Sequence, residues 1–202
     1  MEIRKIGTTA LAAGSTSTLA LLVGAAPALA GEPYVGFSIG SVSGEHPGPG
    51  YADSEDYELG GAVTSFHVGV NQDIGNGLFA GVELAYTSNF EGDKNSDSSY
   101  EYAYDINHNI DAKLRVGTNL GEVRVYGFAG VSTGAMSHIW YSGADYRYHG
   151  LNFGGGAEME VLPSILVGAE VIRRETWGTI DGEDNDYRAG HQAISLRASF
   201  EF

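Results

Sequence analysis

Six histidines, His46, His67, His108, His138, His149 and His191, are the residues of this chain best suited to holding a metal or moving a proton. None of them shows the HxH or HxxxH spacing that sets two imidazoles on one side of a strand or helix, so rim and loop positions are expected for them. Ser137, His138 and Asp145 bring a nucleophile, a base and a carboxylate into one short stretch, the residue types that hydroxyl activation requires, although adjacency in sequence sets no geometry. Asp181 to Gly190 (DGEDNDYRAG) crowds carboxylate and amide oxygens together, and calcium takes six to eight such ligands. The segment lacks a twelve-position loop with a closing Glu, so it reads as a solvated acidic loop that divalent cations could bridge to phosphate. Trp140, Tyr141, Tyr146 and Tyr148 form either an adhesive patch or an aromatic girdle.

The most regular candidates are charges at alternate positions: Glu83; Asp111, Lys113 and Arg115; Arg124; Glu158 and Glu160; Glu170 and Arg174; Arg197 and Glu201. In a strand, alternate residues share a face. Six acids and five bases would therefore meet on the inner side of a sheet, where ions are tolerated only when paired.

The last twelve residues, HQAISLRASFEF, show what positions them: Ile194, Leu196, Ala198, Phe200 and Phe202 fall on one face, Arg197 and Glu201 on the other. Eight such runs are expected, at about 33–42, 62–72, 78–90, 105–118, 123–136, 150–161, 165–178 and 191–202. Asn107, Asn109, Asp111, Lys113 and Arg115 are assigned to the inner face of the fourth. The fifth breaks the pattern, because Tyr126 and Phe128 share the parity of Arg124. The connections alternate strictly between long (43–61, 91–104, 137–149, 179–190) and short (73–77, 119–122, 162–164). A soluble sandwich gives no reason for that rhythm. An eight-stranded antiparallel up-and-down transmembrane β-barrel, with four long surface loops, three short periplasmic turns and both termini inside, requires it.

The start of the chain points to the same compartment. Arg4 and Lys5, the apolar run LALLVGAA and the small residues Ala28 and Ala30 before Gly31 form a secretory signal, residues 1–30, cut after Ala30. Ser15 to Thr18 leave the apolar run shorter than the roughly 20 residues of a helical span. Residues 31–202 then form the barrel domain, without cysteine and with 9 basic against 25 acidic residues, a net charge of −16. Fourteen of those acids fall in the four long connections. This balance argues against nucleic acid, which needs clustered Lys and Arg.

Leu151 to Gly178, Arg115 to Ala135, the opening YVGFSIG and the terminal Phe202 resemble the small outer-membrane barrel superfamily of Gram-negative bacteria, which includes OmpA-type membrane domains and opacity-type, porin-family surface proteins. The resemblance implies a cell outer membrane location, contact with lipopolysaccharide, and recognition of Phe200 and Phe202 by the barrel-assembly machinery. The family often carries aromatic residues after the glutamate of the seventh strand, whereas Glu170 is followed by VIRRE, so no ligand contact is carried over from relatives. It also gives Ser137, His138 and Asp145 a meaning, since outer-membrane enzymes acting on lipid A use such a set. The leading expectation is a structural or surface-interaction barrel with a plugged polar lumen, neither an enzyme nor a cofactor protein. A small pore or solute-uptake porin is the alternative, and a lipid A enzyme the third reading.

Overall fold

The computed structural model describes residues 31–46, 57–92, 104–138, 145–180 and 186–202. The expected signal, with Ala28 and Ala30, lies outside the described residues. Eight strands run in chain order: β1 (Glu32–His46), β2 (Tyr57–Gly75), β3 (Leu78–Gly92), β4 (Tyr104–Leu120), β5 (Val123–His138), β6 (Asp145–Leu162), β7 (Ile165–Ile180) and β8 (Asp186–Glu201). Each pairs antiparallel with its neighbour, and β8 returns to β1 to close the ring, Tyr34 opposite Glu201 and Glu45 opposite Gly190. Closure leaves no sheet edge, which is what allows a sheet to cross lipid. The end of the chain is tied in, with the Phe202 N–H donating to the Pro33 carbonyl at 3.0 Å.

The three short connections are two-residue turns. Asn76 and Gly77, at φ 57° and 74°, adopt the doubly left-handed geometry that matches strand twist, and Asp73 Oδ1 accepts from the Gly75 N–H at 2.6 Å. Gly121 (φ 67°) opens the second. Pro163 and Ser164 form the third, where Ser164 takes the positive φ of 68° that the second residue of a Pro-led turn adopts.

In the central part of every strand the outer face is oily: Phe37, Phe66, Leu114, Leu151 and Leu196 are half to two-thirds exposed. The opposite face turns charged groups inward. The strands nevertheless run 15 to 19 residues, well past the roughly 9–11 that span a bilayer, and most of the excess lies at the loop end. There the polarity inverts. Ser41, Ser43, Thr133, Arg147, Arg188 and Gln192 are outside, while Val42, Val63, Ile106, Met136, Tyr146 and Tyr148 are buried inside. β2, β6 and β8 therefore each begin five residues earlier than expected, at Tyr57, Asp145 and Asp186.

Two inward-face assignments are corrected. A register shift between Ile106 and His108 inserts an extra residue, so Asn107 is exposed and Ile106 is buried; such a bulge changes the parity on either side of it. Glu160 is exposed, and its Oε1 accepts from the Ser164 N–H at 3.1 Å. It lies beside a second register shift, Glu160/Leu162, where the strand is already turning out of the wall. Tyr126 and Phe128 of β5 are buried in the interior beside Arg124.

Candidate functional site

The feature that fills the middle of the barrel is built from six of the alternating charges. Glu83 (β3), Glu158 (β6) and Glu170 (β7) meet Lys113 and Arg115 (β4) and Arg197 (β8). Lys113 Nζ lies 2.9 Å from Glu83 and 2.6 Å from Glu170. Arg115 reaches Glu83 at 3.3 Å and Glu158 at 3.2 Å. Arg197 touches all three acids: Glu83 at 2.6 Å, Glu158 at 3.1 Å, and Glu170. Each of the six is about 5% exposed or less, so three positive and three negative charges neutralise one another away from water.

Phenols complete the network. Tyr34 Oη donates to Glu83 at 2.8 Å and accepts from Arg115, and Tyr126 Oη donates to Glu170 at 3.1 Å. The Arg115 guanidinium lies 3.9 Å from the Tyr126 ring centroid, and Lys113 sits 4.6 Å from that of Phe128, so ring faces add attraction where carboxylates are absent.

Glycine makes room for these rings. A Cβ at Gly156, opposite Tyr126 on the neighbouring strand, would stand 2.5 Å from the phenol oxygen; the ring lies flat over the bare backbone, filling a gap in the inner face that a side chain would block. Gly134 does the same beneath Tyr148.

A second, smaller pair lies towards the loop end. Arg174 holds Asp111 by two parallel bonds, Nε at 3.0 Å and Nη2 at 2.6 Å, the fork geometry that fixes orientation as well as charge. Ser132 donates to the same carboxylate at 2.5 Å, and Asn152 braces it through Ser132. Beyond this layer Tyr148 donates to Asn109 at 3.0 Å and packs against Tyr146 and His191. Ile106, Met136, Val42 and Val63 continue the apolar filling.

At the turn end Arg124 bonds Glu201 and lies 3.5 Å from Glu32. His67 Nε2 and Ser199 Oγ share a bond of 2.9 Å just inside that rim. With Glu160 outside, the inward residues expected from alternation are five acids and five bases, in one cluster of six and two separate pairs.

His191 is buried, against the expectation of a rim or loop position, and Tyr146 and Tyr148 are buried inside the barrel rather than forming an adhesive patch or an outer girdle, while His67 is buried on the inner face of β2. Ser137, His138 and Asp145 have side chains outside the described residues, as has the Asp181 to Gly190 segment down to Tyr187. Among the described residues no group of three His, Asp or Glu is placed to hold a metal. Phe200 and Phe202 face outward, 48% and 65% exposed, with their rings stacked 6.2 Å apart.

The apolar layer towards the loop end was not anticipated from the sequence. Part of its signal was present: Val42 and Met136 sit at inward parity next to polar neighbours, the reverse of the pattern lower in the same strands.

A family model described as outer membrane protein beta-barrel domain matches residues 16–202. Among solved structures, Neisserial surface protein A aligns with a TM-score of 0.51 at 15% identity, covering 84% of this chain and 97% of that chain. Ail, the attachment invasion locus protein of Yersinia pestis, aligns with a TM-score of 0.43 at 17% identity, covering 84% and 99%. At 15% identity the likeness to Neisserial surface protein A is one of fold. No curated protein matches the chain.

Proposed function

Because the chain belongs to the outer membrane protein β-barrel domain family, we propose that it is a closed barrel with a structural or surface-interaction role, and that it neither conducts solutes nor catalyses a reaction. The observation that carries this reading is the neutral cluster of Glu83, Glu158, Glu170, Lys113, Arg115 and Arg197 across the lumen. An eight-stranded barrel has an interior just wide enough for side chains to fill. Here they fill it twice over, first with ion pairs and then with the layer of Tyr146, Tyr148, Ile106 and Met136. Ions crossing that stack would have to break buried pairs and then enter an apolar zone. Purified protein in a planar bilayer is expected to give no steady conductance; sustained single-channel steps would favour the small pore.

In this reading the tight turns and both termini are periplasmic, and the long acidic connections face outward among lipopolysaccharide, with divalent cations bridging carboxylates to phosphates. Amino-terminal sequencing of the outer-membrane form should begin at Gly31; a chain that keeps the apolar run would remove the export argument. Phe200 and Phe202 are the residues presented to the barrel-assembly machinery. Deleting Phe202 should lower the yield of heat-modifiable folded barrel far more than Glu201→Gln, and equal losses would assign the effect to the rim ion pair instead.

A further inference from the structure

Beyond residue 30 the chain has nine basic residues. Lys94 lies outside the described residues and five line the interior. The other three, Arg147, Arg173 and Arg188, all face outward and lie on three consecutive strands, β6, β7 and β8. They lie on the loop-end side of the apolar band, Arg173 at its edge and Arg147 and Arg188 further towards the loops. Arg173 is opposite Gln192, one outward step past Val171 and Ile194; Arg188 is opposite Trp177, and His149 is opposite Trp177 from the other side.

One carboxylate organises the cluster. Glu175 accepts from Arg173 Nε at 2.8 Å and from Arg188 Nη2 at 3.5 Å, so two guanidinium groups are held side by side and the trio keeps a net positive charge. Gly190 allows this, because any Cβ there would occupy the space of the Arg173 guanidinium. Arg188 also lies 5.9 Å from the Trp177 ring centroid.

A groove of about 440 Å³ opens on the same outer face, lined by Ile110, Ala112, Val131, Leu151, His149 and Trp177. That is within the size range of ligand clefts. Its walls are oily, and Trp177 and His149 belong to both the groove and the edge of the arginine cluster. An acidic peptide would satisfy the arginines and leave the groove empty. A phosphorylated lipid satisfies both, phosphate on Arg173 and Arg188 and an acyl chain in the groove, while the acidic loops elsewhere need a cation to approach phosphate at all.

We infer that the outer face from β4 to β8, with the groove on β4 to β7 and Arg173 and Arg188 on β7 and β8, is a binding site for the phosphorylated, acylated lipid A portion of lipopolysaccharide. The assignment to that lipid, rather than to a glycerophospholipid, rests on the reading that the loop end faces the outer leaflet. The probe is purified lipid A, titrated into the folded wild-type barrel in detergent and followed by native mass spectrometry, with phosphatidylglycerol, dephosphorylated lipid A and inorganic phosphate as the other arms.

One retained lipid A per barrel is expected, with dephosphorylated lipid A and inorganic phosphate much weaker. The double substitution R173A/R188A should weaken lipid A by roughly 10- to 30-fold, at about 1 kcal/mol for each arginine near a charged membrane surface. Val131→Trp, which fills the groove from a lipid-facing position, should weaken lipid A and leave inorganic phosphate unchanged. Heat-modifiable migration checks that each variant is folded. Equal retention by the wild type and R173A/R188A overturns the site. Tighter phosphatidylglycerol than lipid A overturns the choice of lipid. Fractionation of cells, done separately, reports on the outer-membrane location, so its failure is distinguishable from failure of the site.

Discussion

Arg197→Ala is expected to destabilise the barrel by about 3–5 kcal/mol, the range for removing one partner of a buried ion pair. Arg197 comes from β8, and its partners Glu83, Glu158 and Glu170 come from β3, β6 and β7. The side chain thus joins the closing strand to the wall opposite as well as to nearby strands. Its loss would leave three carboxylates facing Lys113 and Arg115, one negative charge in excess where no water replaces the guanidinium. Arg197→Lys should recover only part of the loss, since a compact ammonium has no planar fork of donors to share among three acids. Adding Glu83→Gln to Arg197→Ala should restore some stability, because it removes the excess charge; residues of one network couple in this way. Urea titration of the folded barrel in detergent or bilayers, followed by the heat-modifiable band, measures each variant. A loss of under about 1 kcal/mol for Arg197→Ala would mean that water reaches the cluster, and the pore reading would then be the better one.

The contrast between alternation and its failure explains what the sequence made legible. Within the apolar band every strand carries one message: Leu114 out and Lys113 in, Leu196 out and Arg197 in. Period two and the strict rhythm of long and short connections suffice for the fold and its eight strands. All but one of the inward charges could be named because, within the apolar band, charged groups at that parity have nowhere else to go; Glu160, beside a tight turn, is the exception. Which acid meets which base was not legible, since it depends on register around the ring, and Glu83 and Arg197 are 114 positions apart.

Two other features were missed because a single rule of polarity does not hold along a whole strand. At the loop end the outer face meets water and the interior is apolar, so Met136 and Ile106 are inside by the ordinary logic of a soluble core. A reading that expects oil outside stops there. Bulges hide in the same way, because one inserted residue at Ile106/His108 looks like noise until the partner strand is seen. The pairing of inward glycines with rings one strand away, Gly156 with Tyr126, was likewise invisible without the register.

Leu114→Arg separates a membrane barrel from a soluble one. Leu114 points outward from the middle of β4 and is 67% exposed, between Ala112 and Val116 on the same face. In water such a residue is a surface position, where substitutions usually change stability by no more than about 0.5 kcal/mol. In a bilayer the same position faces hydrocarbon, and an arginine near the midplane of a barrel costs about 2–4 kcal/mol, falling to about 0–1 kcal/mol near the interfaces. Leu120, 63% exposed at the tight turn into β5, provides the comparison on the same strand. Its arginine variant should be nearly neutral, because the side chain there reaches the headgroup region. The measurement is unfolding free energy in lipid vesicles for the two variants, each against wild type. A large difference between them, with Leu114→Arg the costly one, reports depth in a membrane, which no soluble sheet possesses. Equal and small effects would mean that the oily face of β4 does not lie in lipid, and the outward parity of Phe37, Phe66, Leu151 and Leu196 would then need another partner to cover it.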